Sequence, residues 1–402
     1  MIRLLFLLSF SLFFTIVSAQ KKEISQAKDY IKSRENLEKA ESMMRELLLD
    51  SANRRDMKIH TILAEALRVQ YEKANEKFYL KEETDTSSFF KVTRRMFLAY
   101  EALDSIDAMP DKKGRVKIKF RKKNAQYLSK CIRNLYNGGL FFLRHKDYTS
   151  AYDLMDTYLD CRIQPLFSEN NDKVCDSITC SSAAFCTIFS SYKSNRPDSA
   201  LKYKELALDN VKYKNRTLQY LAEIYMQKND TTNYLNTLKT GFKENNLSEF
   251  FFIRLMDYYN GKNYLDSALT IADSALLADK NNELYLFAKS NILLNMGNYQ
   301  DCISISDTLL SRKSENPDVY YNAGVSYINM ALLLENDIAS RKKNNKKIIA
   351  YYKKSLPYME KYRQLRPDDK HKWASSLYNI YLKLNMGRKF EEMSNILLKM
   401  QK

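Results

Sequence analysis

The sequence predicts an all-α chain built from stacked helix–turn–helix units. Three observations carry that prediction. The first is a period. Ala200, Tyr234, Ala268 and Cys302 lie 34 residues apart, and Ile188, Ala222, Met256, Ser290 and Gly324 form a second series with the same spacing. Self-similarity at this period marks a unit that cannot bury its apolar face alone and stacks on its neighbours. The second is patterning: Phe252, Leu255, Met256 and Tyr259 share one helical face, and Ala268, Ala272 and Ala275 share another. The third is composition. Only 8 Gly and 6 Pro interrupt 402 residues, while 29 Tyr and 20 Phe supply large side chains for packing helices together.

The first residues stand apart from this pattern. Arg3 precedes a nearly continuous apolar run from Leu4 to Val17, and Val17-Ser18-Ala19 places small residues before Gln20. Residues 1–19 therefore read as a secretory signal peptide cut near Ala19. The run is shorter than the roughly 20 residues a membrane span needs. No Cys follows the cut, which disfavours a lipid anchor. The expected location is the periplasm or the outer-membrane periphery.

Residues 20–124 read as an N-terminal helical region of degenerate repeats that ends in a basic connector. Leu37, Ala40, Met44 and Leu47 make its earliest small-residue helix face. Residues 57–107 are helical but out of register, with Arg94, Met96, Tyr100 and Leu103 on the second helix there. The basic connector covers 111–124.

Residues 125–402 form the repeat array, and its period breaks twice. Leu135, Gly138, Gly139 and Phe142 followed by Ala151, Met155 and Tyr158 make one unit, but the next small residue, Ala200, comes 49 residues after Ala151. A loop insertion near 160–182 takes up the excess. Downstream, the second helix expected near residue 336 finds its small-residue match only at Ser355, 19 residues late. Ala331 to Leu334 continue the first helix, and Ile348 to Tyr352 begin the returning one. This predicts one lengthened helical hairpin near 331–352, about two turns longer on each side. Its tip is the cationic run Arg341, Lys342, Lys343, Asn344, Asn345, Lys346, Lys347.

The units resemble the tetratricopeptide repeat (TPR). Gly324 and Tyr327 after Asn316-Pro317-Asp318, the turn at Gly297 to Tyr299, and Arg366-Pro367-Asp368-Asp369 at a helix end carry the resemblance. The usual Trp position holds Phe252, Leu286 or Tyr320, and several closing prolines are missing, so the repeats are degenerate. With the Ala19-Gln20 signal end, Pro165-Leu166-Phe167 and the Leu384 to Gly387 ending, the chain is similar to exported TPR proteins common in Gram-negative Bacteroidota. The resemblance implies an architecture and a binding role, not a defined activity.

Catalytic and metal motifs do not appear. His60, His145 and His371 are far apart in sequence, and there is no Gly-rich phosphate loop and no H-E-x-x-H. The expectation is a non-catalytic protein with no cofactor. Cys161, Cys175, Cys180 and Cys186 cluster without a nearby His, which is not zinc spacing. Cys175 and Cys180 are spaced to close a small loop in an oxidising compartment, or to remain free thiols. The 65 Lys and Arg against 48 Asp and Glu give a net charge of +17. In an exported protein that excess points to anionic envelope surfaces, lipid or polymer, rather than to nucleic acid.

The repeat register nominates a groove. In TPR arrays the first helix of each unit lines the concave face. The position three before the Gly-like residue gives Tyr136, Phe185, Gln219, Ile253, Phe287 and Tyr321. The position one after it gives Leu140, Phe189, Glu223, Asp257, Asn291 and Val325. The apolar members Tyr136, Phe185, Phe189, Ile253, Phe287, Tyr321 and Val325 are the candidate partner-binding row, suited to an extended peptide or a partner helix. The alternative is that they pack between neighbouring helices. The primary expectation is thus an envelope scaffold that binds a peptide or protein segment. The alternative is an adaptor that holds anionic lipid or polymer through Arg341, Lys342, Lys343, Lys346 and Lys347.

Overall fold

The structure, a computed structural model, describes residues 20–170, 175–339 and 341–400. The predicted signal peptide, residues 1–19, lies outside the described residues. Every regular element among the described residues is a helix. The fold is the all-α, TPR-like stack of helical hairpins that the period predicts. The chain packs as two compact units that divide between Tyr234 and Leu235.

The first unit opens with α1 (20–33), α2 (Leu37–Leu49), α3 (Met57–Tyr79) and α4 (Thr86–Asp107). It continues with α5 (Arg121–Cys131), α6 (Arg133–Arg144), α7 (Tyr148–Asp160), α8 (Ser177–Lys193) and α9 (Lys214–Gln227). The expected connector at 111–124 ends early, because Arg121 already begins α5. Asp104, 4% exposed, holds the Arg121 guanidinium through two bonds of 2.9 and 2.8 Å. The neighbouring Asp107 carboxylate accepts the amides of Lys119 and Phe120. Two buried acids thereby fix where the basic segment turns into helix.

The insertion near 160–182 is only partly irregular. Pro165–Asn170 forms a 3-10 turn that buries Leu166 and Phe167, and the Phe167 ring stacks on Phe97 of α4 at 6.3 Å. Helix α8 starts at Ser177, where Asp176 caps it by accepting the Thr179 amide at 2.9 Å. A Cys175–Cys180 disulfide joins the residue before this cap to the first turn of α8. Those are the positions that an apolar pair occupies when a hydrophobic contact staples a helix start. The second helix of the following unit is broken into Pro197–Ala200, a 3-10 turn Leu201–Tyr203, and Lys204–Leu208.

Helix α10 (Thr231–Glu244) crosses the division. The second unit then contains α11 (Glu249–Gly261), α12 (Leu265–Ala278), α13 (Glu283–Met296) and α14 (Tyr299–Ser311). It closes with α15 (Pro317–Asn336), α16 (Arg341–Leu365), α17 (Lys370–Lys383) and α18 (Gly387–Met400). Trp373, Leu377, Tyr381 and Met393 bury the last hairpin against α16.

The turns repeat as regularly as the helices. Asn195, Asn229, Asn263 and Gly297 all take positive φ, between 55° and 83°, and recur every 34 residues. Asn and Gly are the residues that enter this left-handed region at least cost. In each case the next amide donates to the carbonyl five residues back: Arg196 to Ser191, Asp230 to Tyr225, Tyr264 to Tyr259 and Asn298 to Leu293. This closes the helix end in a Schellman motif. The next position in the series is Ala331. Ala is the strongest helix former, and here the helix does not stop. Ala331 is fully buried, and α15 runs on to Asn336.

The returning helix starts earlier than predicted. It begins at Arg341, whose amide donates to the Asp337 carbonyl at 2.9 Å, rather than near Ile348. The cationic run is therefore helical and flanks the turn instead of forming it.

Helices approach closely where the small-residue series predicts. A Cβ on Gly139 of α6 would stand 2.6 Å from Met155 of α7, and one on Gly324 of α15 would stand 2.5 Å from Met359 of α16. The first contact spans 16 residues and the second 35, so the packing itself measures the 19-residue excess of the hairpin. Ser355, fully buried, confirms the register by donating to the Gly324 carbonyl at 2.8 Å. Overpacking such a site costs about 1–3 kcal/mol. Gly324→Val should lower the unfolding free energy by that amount in urea titration, whereas Gly261→Ala, where a Cβ meets nothing within 4 Å, should not.

Candidate functional site

The first unit carries a strip of half-exposed aromatic rings. On α8, Phe185, Phe189 and Tyr192 follow one another at four and three residues, so they share a face. The opposite face is fully buried through Ala183, Ala184, Ile188 and Ser191. Tyr213, just before α9, stacks on Phe185 with centroids 4.5 Å apart and planes 7° from parallel. Tyr220 of α9 lies 5.3 Å from both Phe189 and Tyr192. Tyr148, at the start of α7, meets Phe189 edge-on at 5.7 Å. The Lys193 ammonium sits 5.9 Å from the Phe189 ring and 5.5 Å from Tyr192. Tyr136 of α6 is half-buried beside Tyr158; burial, then the nearby Cys186 and Tyr213, push its phenol above the usual range.

The structure thus brings Phe185 and Phe189 of the predicted row together through Tyr220, and sets Tyr136 against Tyr158 and near Tyr213. It adds Tyr148, Tyr192, Tyr213 and Tyr220, which the register did not nominate. Tyr220 is the residue after Gln219, the position that was counted, and Gln219 instead donates to Asn215 within its own helix at 2.9 Å. The i, i+4, i+7 spacing of 185, 189 and 192 is the signal that would have found Tyr192.

In the second unit the predicted row is spread over three helices. Ile253 on α11 is 40% exposed, and Phe287 on α13 is half-buried. Tyr321 on α15 packs against Tyr362 of α16 at 5.2 Å, under the Lys372 ammonium at 5.1 Å. Val325 packs into the core of the closing hairpin. Among the described residues no ring contact links Phe287 to Tyr321. Asn291, expected to face a partner, accepts from Asn322 at 2.6 Å, and Asn322 also donates to Ser290. That ladder ties α13 to α15.

Arg341, Lys342, Lys343, Lys346 and Lys347 are all exposed on the first two turns of α16. None of the five is ion-paired among the described residues. Glu335, the nearby acid of α15, pairs at 2.8 Å with Lys383 of α17 instead.

Two of the three histidines lie against backbone carbonyls of nearby residues. His60 Nε2 lies 3.0 Å from the Arg54 carbonyl, and His145 stacks on Phe141 with Nδ1 at 2.8 Å from its carbonyl. No group of three His, Cys, Asp or Glu among the described residues is placed to hold a metal. The displaced acid is Glu101 of α4. Its Oε1 is buried without a partner, and burial, then repulsion from Asp160 and Asp156, raises its carboxyl to about 7 despite the opposing Arg94. Asp156 and Asp160 are themselves held by Lys202 and the Tyr203 hydroxyl.

Glu101 fixes a pH dependence. The folded chain retains its proton up to about 7, while the unfolded carboxyl loses it near 4.5. Stability therefore falls as pH rises between those values. Glu101→Gln should remove that loss, raising the unfolding free energy at pH 8 by about 3 kcal/mol while changing little at pH 4.5. Parallel urea titrations of the two proteins at both pH values would show it, and identical pH profiles would contradict it.

No protein-family model matches the chain, and no curated protein matches it. Solved structures do. The C-terminal part of a TPR repeat-containing protein from Cytophaga hutchinsonii is 13% identical, with a TM-score of 0.43 over 65% of this chain and 94% of that one. A tetratricopeptide repeat protein from Parabacteroides merdae is 15% identical, with a TM-score of 0.36 over 66% and 99%. YrrB, described as a TPR protein with an unusual peptide-binding site, is 18% identical, with a TM-score of 0.34 over 50% and 91%. At these values the likeness is one of fold alone.

Proposed function

We propose that this chain is a non-catalytic scaffold of the cell envelope that binds a peptide or protein segment on the aromatic strip of its first unit. The observation that supports this is the strip itself. Phe185, Phe189, Tyr192, Tyr213 and Tyr220 make one ring-to-ring surface that remains half-exposed on a folded unit. Aromatic rings bury much area with few rotatable bonds, which is why they dominate recognition surfaces. Lys193 at the strip's edge adds a cation beside the apolar faces. Such a site favours aliphatic or aromatic side chains followed by a carboxylate.

Export rests on the signal pattern of residues 1–19 and is supported by the Cys175–Cys180 disulfide, a bond that persists in oxidising compartments. Periplasm or outer-membrane periphery is the proposed location. The unpaired cations of the lengthened hairpin favour a second reading alongside the first, an adaptor that also holds an anionic envelope surface.

Panning a random peptide display library against the purified chain tests the first reading. Enriched peptides should carry paired apolar residues. They should lose about tenfold in affinity against Phe189→Ala/Tyr220→Ala, with the helical circular dichroism unchanged. Peptides that bind the double variant equally well would remove the strip from the account.

A further inference from the structure

The hairpin α15–α16 combines two features that a scaffold does not need. Helix α15 has 20 residues against 14 in α13, so it extends about 9 Å further. Burial along the pair stops at Ala331 and Ile348, and every described residue between them is exposed or half-exposed. At the far end, Leu333 is 61% exposed and Ile338, in the turn, is 88% exposed. Large aliphatic side chains at the outermost point of a projection cost solvation and return no packing to the fold.

The charges beside them are also placed against local stability. Lys342 and Lys346, like Lys343 and Lys347, are i, i+4 pairs of like charge, which repel. All lie in the first turns of α16, where the helix dipole is positive and an acid would be favoured, yet the first turn holds none. Glu335 points its charge to Lys383, and Lys347 lies over the Tyr351 ring rather than against a carboxylate. Each cost is reversed by one occupant, a layer of negative charge with hydrocarbon behind it.

We propose that this hairpin docks on an anionic lipid bilayer, with Ile338 and Leu333 entering the acyl boundary and the basic turns of α16 lying among the headgroups. The proposal rests on the adaptor reading and names its surface. A polyanion without hydrocarbon, whether nucleic acid or polymer, would satisfy the lysines and leave Ile338 in water. A neutral bilayer would accept Ile338 and leave the charges unmatched. The hairpin belongs wholly to the second unit, and the aromatic strip to the first.

The chain contains one Trp, and Trp373 is 2% exposed, so an introduced indole can be read on a constant background. The full chain, its Ile338→Trp variant, an Ile338→Ser variant and a Lys342→Gln/Lys343→Gln variant would be titrated with vesicles of phosphatidylglycerol and phosphatidylcholine, with pure phosphatidylcholine vesicles, and with inorganic polyphosphate. The expected result is binding to the anionic vesicles alone among the lipids, weakened by salt, with a blue shift of the introduced indole. Ile338→Ser should weaken vesicle binding about tenfold and leave polyphosphate binding unchanged. The double Lys variant should weaken vesicle binding about 30-fold, since each lysine near such a surface is worth about fivefold. Binding to vesicles and polyphosphate that ignores residue 338, without a blue shift, would overturn insertion and leave a purely electrostatic adaptor. Binding to neither would overturn the adaptor reading as well. All the substitutions fall on exposed positions, and unchanged circular dichroism would exclude misfolding as the cause.

Discussion

At Gly139 and again at Gly324, the backbone of one helix rests against a methionine of its partner, closer than any Cβ would permit. Ala222, Ala268 and Cys302 are fully buried at related positions of the period. Each places little or nothing between two helices so that long side chains from the neighbours can fill the seam. The stack depends on this. Dispersion and apolar burial reward only close contact, and a short unit has no other core to fall back on. Because most seams use the same small position, with Tyr234 and Met256 among the exceptions, the register of one hairpin fixes the register of the next, and the period becomes visible in the sequence.

The turns obey the same logic from the opposite side. A left-handed residue must follow each first helix if the second is to fold back, and Asn195, Asn229, Asn263 and Gly297 supply it. Where Ala331 stands instead, the helix continues until Asn336, and the partner helix must grow to match. One residue type at one position thus separates an ordinary unit from a projecting one. The seam is still satisfied there, because Met359 reaches Gly324 across the longer loop of chain. The projection leaves the packing intact and adds mostly exposed surface, tied back through Glu335 to Lys383.

The repeat, its two interruptions and the lengthened hairpin were legible because they are properties of spacing. The aromatic strip proposed as a binding surface was half legible. The repeat register gives Phe185 and Phe189, since α8 keeps the expected rotation. It missed Tyr213 and Tyr220 because Tyr213 lies outside a helix and Tyr220 lies one position beyond the one counted. It also nominated Tyr321, which the closing hairpin covers with Tyr362 and Lys372, residues more than 40 positions away in the chain. The capture of Arg121 by Asp104, which shortens the basic connector, depends on burial that no spacing reveals.

The small-residue seams hold each unit, while the end of the outer hairpin adds little beyond the Glu335–Lys383 ion pair. Hydrogen–deuterium exchange on the full chain tests both halves at once. Amides in α12 around Ala268 to Ala275 and in α13 around Ser290 to Leu293 should exchange only through large openings of the unit. Those of residues 332–336 and 341–347 should exchange within the fast, fraying range. Amides of 341–347 as slow as those of α12 would show that the hairpin's end is held by contacts within the chain, and the account would fail.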